Sequence, residues 1–131
     1  MFNRATLIGN VGSDPEMRQV ASGQLASFSV ATNRKYTKKD GEAVDETQWH
    51  RITVFGKSAD FVESYIRKGD KVFVEGRIEY RMYEDRDGNE KMATQITVAW
   101  PEGTVKKIGG PFRGKDKSVG GELPQMSLDG S

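Results

Sequence analysis

The chain has no cysteine among its 131 residues, one histidine, and almost no net charge: 20 Lys and Arg stand against 19 Asp and Glu, a formal +1. Each shortage excludes something. Without cysteine there is no disulfide framework, thiol nucleophile or thiolate zinc site. A single histidine rules out two-His and three-His catalytic metal sites within one chain. No apolar run approaches the ~20 residues that a membrane-spanning helix needs, and no basic-then-apolar signal segment opens the chain. The near-zero total gives no global hint of a polyanionic partner. A chain of this length suits one domain with a modest core.

Composition changes near Gly109. Residues 109–131 are dominated by Gly, Lys, Ser and Pro, with Pro111, Gly114, Gly120, Gly121 and Pro124 breaking any periodicity. Their few apolar side chains cannot offset the entropy of ordering the segment. The sequence therefore divides into a domain over residues 1–108 and a flexible tail over 109–131. The tail is neutral, so the +1 belongs to the domain.

Within the domain, hydrophobicity recurs mostly every second residue. The pattern predicts strands over Phe2 to Val11, Leu25 to Asn33, Trp49 to Phe55, Val72 to Tyr83 and Met92 to Val98. Turn chemistry separates them at Ser13-Asp14-Pro15, Ser22-Gly23, Asp40-Gly41 and Asp87-Gly88. One helix is predicted after Phe55, with Ser58 as N-cap, Phe61, Val62, Tyr65 and Ile66 on its apolar face, and Gly69 as its stop. Five short strands cannot hide their edges in a flat sheet, whereas closure into a barrel removes them. The order of three strands, one helix and two strands predicts an all-β fold with one helix, the five-stranded Greek-key OB-fold barrel with its helix between strands three and four.

In Trp49 to Phe55, Ile52 and Val54 take the core face, leaving Trp49, Arg51, Thr53 and Phe55 outside. The fourth strand repeats this: opposite Val72, Val74 and Ile78 stand Phe73, Glu75, Arg77, Glu79, Arg81 and Tyr83. Aromatics interleaved with Arg suit single-stranded nucleic acid. Rings stack on unpaired bases, at roughly 1–3 kcal/mol per base, while cations follow the phosphates. The competing reading is that such rings pack against another subunit, the helix or a loop; Phe73 and Trp100 fit it best. After the second strand, the loop Arg34-Lys35-Tyr36-Thr37-Lys38-Lys39 sets four cations around one Tyr. It reads either as a solvated hairpin or as a clamp on a flexible strand. Residues 1–39 hold six cations (Arg4, Arg18, Arg34, Lys35, Lys38, Lys39) against Asp14 and Glu16, a local +4 that the total conceals.

Other motifs carry no chemistry. Gly56-Lys57-Ser58 resembles the end of a P-loop, but Arg51 stands where its first Gly is required. Asp85, Asp87, Gly88 and Glu90 put Gly fourth rather than sixth, so a hairpin turn explains them better than a calcium loop. His50 shares the inward parity of Ile52 and Val54, beside no evident nucleophile, which suits a packed or subunit-contact residue. No catalytic residue, metal or cofactor is predicted.

Five ordered motifs then carry a resemblance: Gly9-Asn10-Val11-Gly12-Ser13-Asp14-Pro15-Glu16, Trp49-His50-Arg51, Phe55-Gly56-Lys57, Tyr65-Ile66-Arg67-Lys68-Gly69 and Val74-Glu75-Gly76. Over about residues 2–108 the chain resembles the bacterial-type single-stranded DNA-binding proteins. The resemblance implies a non-catalytic OB domain that coats single-stranded DNA in replication, recombination and repair, usually as a homotetramer, without metal or cofactor. It implies a cytoplasmic, nucleoid-associated protein, bacterial or phage-encoded. By the same resemblance Trp49 and Phe55 match stacking positions, and Tyr36 and Tyr83 stand where many members have Trp. Arg4, Arg51, Lys57, Arg67, Lys68 and Arg81 would contact the DNA backbone, as would Lys38 and Lys39 in a variable loop. Met82 replaces a cation of some members, and His50 matches a subunit-interface position. Typical members end in an acidic run closed by Ile-Pro-Phe, which recruits replication and repair enzymes. Here Glu122 to Ser131 holds two acids and no Phe, which leaves that recruitment open. Two further classes stay open on the residues: an OB-fold accessory protein of primosome type, and a single-stranded RNA binder, because stacking does not read the 2′-hydroxyl.

Overall fold

A computed structural model describes residues 1–110. The alternating segments form seven strands and one helix in the order β1 (Ala5–Val11), β2 (Glu16–Val20), β3 (Gly23–Thr37), β4 (Ala43–Phe55), α1 (Lys57–Tyr65), β5 (Lys71–Glu84), β6 (Glu90–Val98) and β7 (Thr104–Gly109). Five of them close a ring. Antiparallel ladders join β1 to β3, β3 to β4, β6 to β5 and β5 back to β1, and a parallel ladder joins β4 to β6. This is the predicted five-stranded OB barrel, with its helix in the predicted place. The tail expected over 109–131 lies, from Pro111 onward, outside the described residues.

Two strands add to the predicted five. β2 pairs with the start of β3 across the Ser22-Gly23 turn, and β7 pairs with the first half of β5, on the same edge that β6 takes further along. Both are short, and each sends few apolar side chains inward: Met17 from β2 and Val105 from β7.

The barrel interior is filled by alternate residues of every ring strand. Val11, Ala26, Phe28, Val30, Ile52, Val54, Val72, Val74, Ile96 and Val98 are buried there, and Ala59, Val62 and Ile66 close one end from the helix. β5 and β6 approach closely at Gly76: a β-carbon there would stand 2.9 Å from the Thr97 carbonyl carbon.

The helix starts two residues earlier than a Ser58 cap predicts. Its N-cap is Gly56, at φ 71°, without a side-chain capping bond. Ser58 cannot cap because it already lies inside the first turn, where Ala59 N–H donates to the Gly56 carbonyl at 2.9 Å. At the other end, the Asp70 carboxylate accepts a hydrogen bond from Arg67 N–H at 2.8 Å and lies 3.4 Å from Lys107 Nζ. Asp70 is only 2% exposed, so this charged knot ties the helix exit to β7.

The segment read as a loop after the second strand is mostly ladder. Arg34 to Thr37 pair with Glu46 to Ala43, so β3 and β4 run on as a two-stranded arm beyond the barrel. The turn itself spans Lys38 to Glu42, with Gly41 at φ 91°. A second arm is formed by Tyr80 to Glu84 against Glu90 to Thr94.

Candidate nucleic-acid interface

The outward residues of β3, β4, β6 and β5 lie in rows set by the ladders. One row runs Ser29, Arg51, Gln95, Glu79; the next runs Ser27, Thr53, Thr97, Arg77. Beyond these, Ala31 pairs with Trp49, and Ala93 pairs with Arg81. Trp49 is 62% exposed. Its ring lies over Gly12, where a β-carbon would collide with Cζ3 and stand 2.8 Å from Ser29 Oγ. The bare glycine leaves room for the indole to lie down with its outer face open.

A groove of about 460 Å³ runs beside this row, lined by Arg18, Arg51 and Arg81 together with Glu16, Met17, Leu25, Ser27 and Thr53. Three guanidiniums around one groove suit phosphate groups. Arg18 was absent from the expected contacts; its signal is its outward parity in β2, a strand too short to be recognised. Thr53 points outward as predicted but is buried, because the groove walls rise around it.

The middle of the face is a polar network. Gln95 Nε2 donates to Thr97 Oγ1 at 3.1 Å, Thr97 Oγ1 donates to Glu79 Oε1 at 2.6 Å, and Arg77 Nε donates to Glu79 Oε2 at 3.0 Å. The hydroxyl of Thr97, aided by Arg77, holds the Glu79 carboxyl below the usual carboxylate range, against the opposing effect of burial.

The remaining expected residues are distributed as follows. Tyr83 is exposed on the β5–β6 arm, with the same outward parity as Arg81. Phe55 is half-buried at the end of β4, and Lys57 is exposed at the start of the helix. Tyr36 lies on the opposite face of the β3–β4 arm from Trp49, since the ladder keeps its register from Leu25 to Thr37. There the Arg34 guanidinium covers its ring at 4.4 Å. Lys38 is 3.4 Å from Glu42 across the turn, and Lys39 is exposed.

Two further cations are occupied by the protein itself. Arg4 pairs with Glu75 at 3.3 Å on the β1–β5 side, away from Trp49. Arg67 donates to the Glu63 and Ile66 carbonyls, both at 2.7 Å, at the helix end. Lys68 is exposed, and its N–H donates to Asp14 Oδ1 at 2.8 Å, in the segment that also contains Gly12. His50 is half-buried, with Nε2 2.9 Å from Thr32 Oγ1. Trp100, expected in a core or an interface, is outside the core: it is exposed on the single chain and stands in the turn after β6.

The model of the single-strand binding protein family matches residues 2–105, a span that takes in the whole barrel and both arms. The chain belongs to that family. Its members are non-enzymatic DNA-binding proteins, and single-stranded DNA binding is the function that membership gives this chain. Among solved structures, the chain is similar to the Plasmodium falciparum SSB complex with ssDNA, with 31% sequence identity and a TM-score of 0.76. That match covers 82% of this chain and 96% of the other.

Proposed function

We propose that the chain coats single-stranded DNA with little sequence preference, serving replication, recombination and repair. Unpaired bases stack on Trp49 and Phe55, and Tyr83 continues the contact along the β5–β6 arm. Phosphates are neutralised by Arg18, Arg51 and Arg81 in the groove and by Lys57 at the helix start, with Lys38 and Lys39 at the tip of the other arm. Tyr36 takes part from the far face of its arm, which suits a strand that passes around the arm rather than lying flat on it. Arg4, Arg67 and Lys68 act at the margins, since the first two already have protein partners.

The observation that carries this reading is the open indole of Trp49, seated on Gly12 beside a groove holding three arginines. The structural neighbour described as bound to ssDNA supports it. Rings supply the sequence-tolerant part of binding, because every base has a π-face. A nearly neutral chain then relies on stacking more than a strongly basic one would. Binding of labelled oligo(dT), followed by anisotropy over a salt series, tests the reading: affinity should fall steeply with salt, and a salt-insensitive affinity would contradict the phosphate contacts.

The proposal includes assembly as a homotetramer. Ile8 is 53% exposed and pairs in register with Phe73 on the outer face of β1 and β5. That apolar pair is available to a second copy, with His50 as a further contact. Mass measurement of free and oligo(dT)-saturated protein reports assembly and stoichiometry together.

A further inference from the structure

The chain has two tryptophans, and the second is more exposed than the first: Trp100 is 79% exposed, against 62% for Trp49. Nothing in the barrel covers it, yet its position is fixed. The parallel ladder ends at Val54 opposite Val98. Phe55 is the residue after Val54, and Trp100 stands two residues after Val98, so both follow the same end of that ladder. The turn that carries it is tight, with Glu102 N–H donating to the Ala99 carbonyl at 2.9 Å. It is pressed onto β5, since a β-carbon on Gly103 would stand 2.7 Å from the Glu75 carbonyl oxygen. Glu102 also lies 3.8 Å from the Arg77 guanidinium, which belongs to the same outward face as Arg51 and Glu79.

We propose that Trp100 is a further stacking platform for single-stranded DNA, taking the base that follows the one on Phe55. The inference rests on the DNA-binding reading above and extends its track past the end of β4. Three features support it: Phe55 and Trp100 follow the same end of the β4–β6 ladder, a tight turn presents the indole to solvent, and Lys57, two residues past Phe55, is exposed for a phosphate. An aromatic ring held out in this way accepts any base. The contact therefore lengthens the site without adding sequence preference.

The test uses the full chain with Trp49→Phe, which leaves Trp100 as the sole tryptophan. Oligo(dT) should quench its emission in step with the anisotropy of a fluorescein-labelled oligo(dT). In the otherwise unaltered chain, Trp100→Ala should raise Kd about tenfold, within the range for one stacked base, and Trp100→Phe should restore most of the affinity. If labelled oligo(dT) binds, Trp100 emission stays constant and Trp100→Ala binds as tightly as the parent, the proposal fails while the DNA-binding reading stands. Trp100 emission that changes with protein concentration without DNA, and then ignores oligo(dT), assigns the ring to a contact between copies and also overturns it. No anisotropy change with the parent chain would defeat the underlying reading itself. If Trp100→Ala does not fold, the quenching of Trp100 in the Trp49→Phe chain still decides.

Discussion

The indole of Trp49 rests on Gly12, and no other residue fits beneath it: a β-carbon at position 12 would collide with the ring and with Ser29 Oγ. The glycine thus acts on the stacking face without itself touching a base. Gly12→Ala should tilt the ring and weaken oligo(dT) binding by up to about tenfold, near the value of one stacked base. Trp49→Ala should cost a similar amount. The two losses should not add in the double variant, because each removes the same contact. Additive losses would show that Gly12 matters for some other reason.

The groove arginines make a separable prediction. Arg18→Ala, Arg51→Ala and Arg81→Ala should each flatten the log–log salt dependence of binding by about 0.7, the share of one phosphate on a single strand. Arg4→Ala should change the slope less, because Arg4 already faces Glu75 at 3.3 Å. Equal changes for all four would mean that the groove has no special role.

How far this was legible from the sequence depends on where alternation reflects burial. The ring strands β3, β4 and β5 send Ala26, Phe28, Val30, Ile52, Val54, Val72 and Val74 inward, and their period of two is plain. The β3–β4 arm leaves the core behind, so Arg34 to Thr37 alternate nothing apolar. Their ladder is held by backbone bonds that the side chains do not announce. β2 and β7 escaped for the same reason, each with too few inward apolar residues to set a period. Trp49, Arg51 and Arg81 could be grouped by parity alone. Arg18 could not, since its strand was unseen, and the separation of Tyr36 from Trp49 needed the unbroken register of the arm. Trp100 was placed in a core or an interface because its chemistry favours burial, whereas a turn two residues past Val98 keeps it out of the barrel core.

Glu79 predicts the acid limb of stability. Its folded carboxyl titrates below the ordinary value of 4.5, chiefly through the Thr97 hydroxyl. The unfolded chain therefore binds this proton more readily than the folded one. The contribution is present above the ordinary carboxylate range and is lost as pH falls through the folded value. Thermal melts from neutral into acidic pH should show a shallower decline for Glu79→Gln than for the parent. Parallel curves would indicate that other carboxylates govern that limb.

Asp70 is a structural prediction with a functional control. Asp70→Ala removes the carboxylate that accepts from Arg67 N–H and faces Lys107. It should lower stability by about 2 kcal/mol, the scale for a charged hydrogen bond in a buried place. Urea unfolding measures that loss, and oligo(dT) affinity of the folded fraction should be unchanged.

His50 tests the assembly. His50→Lys puts a longer, charged side chain where Thr32 Oγ1 now lies 2.9 Å from the imidazole Nε2. Light scattering on dilution should show dissociation at higher protein concentration than in the parent. An unchanged mass across the dilution would remove His50 from the interface.

The central claim is that bases stack on Trp49. With Trp100→Phe, Trp49 becomes the only tryptophan, and titration with oligo(dT) at low salt reports on it alone. The account predicts saturable quenching of its emission, reversed by added salt. Binding of the oligonucleotide with unaltered Trp49 emission would contradict it.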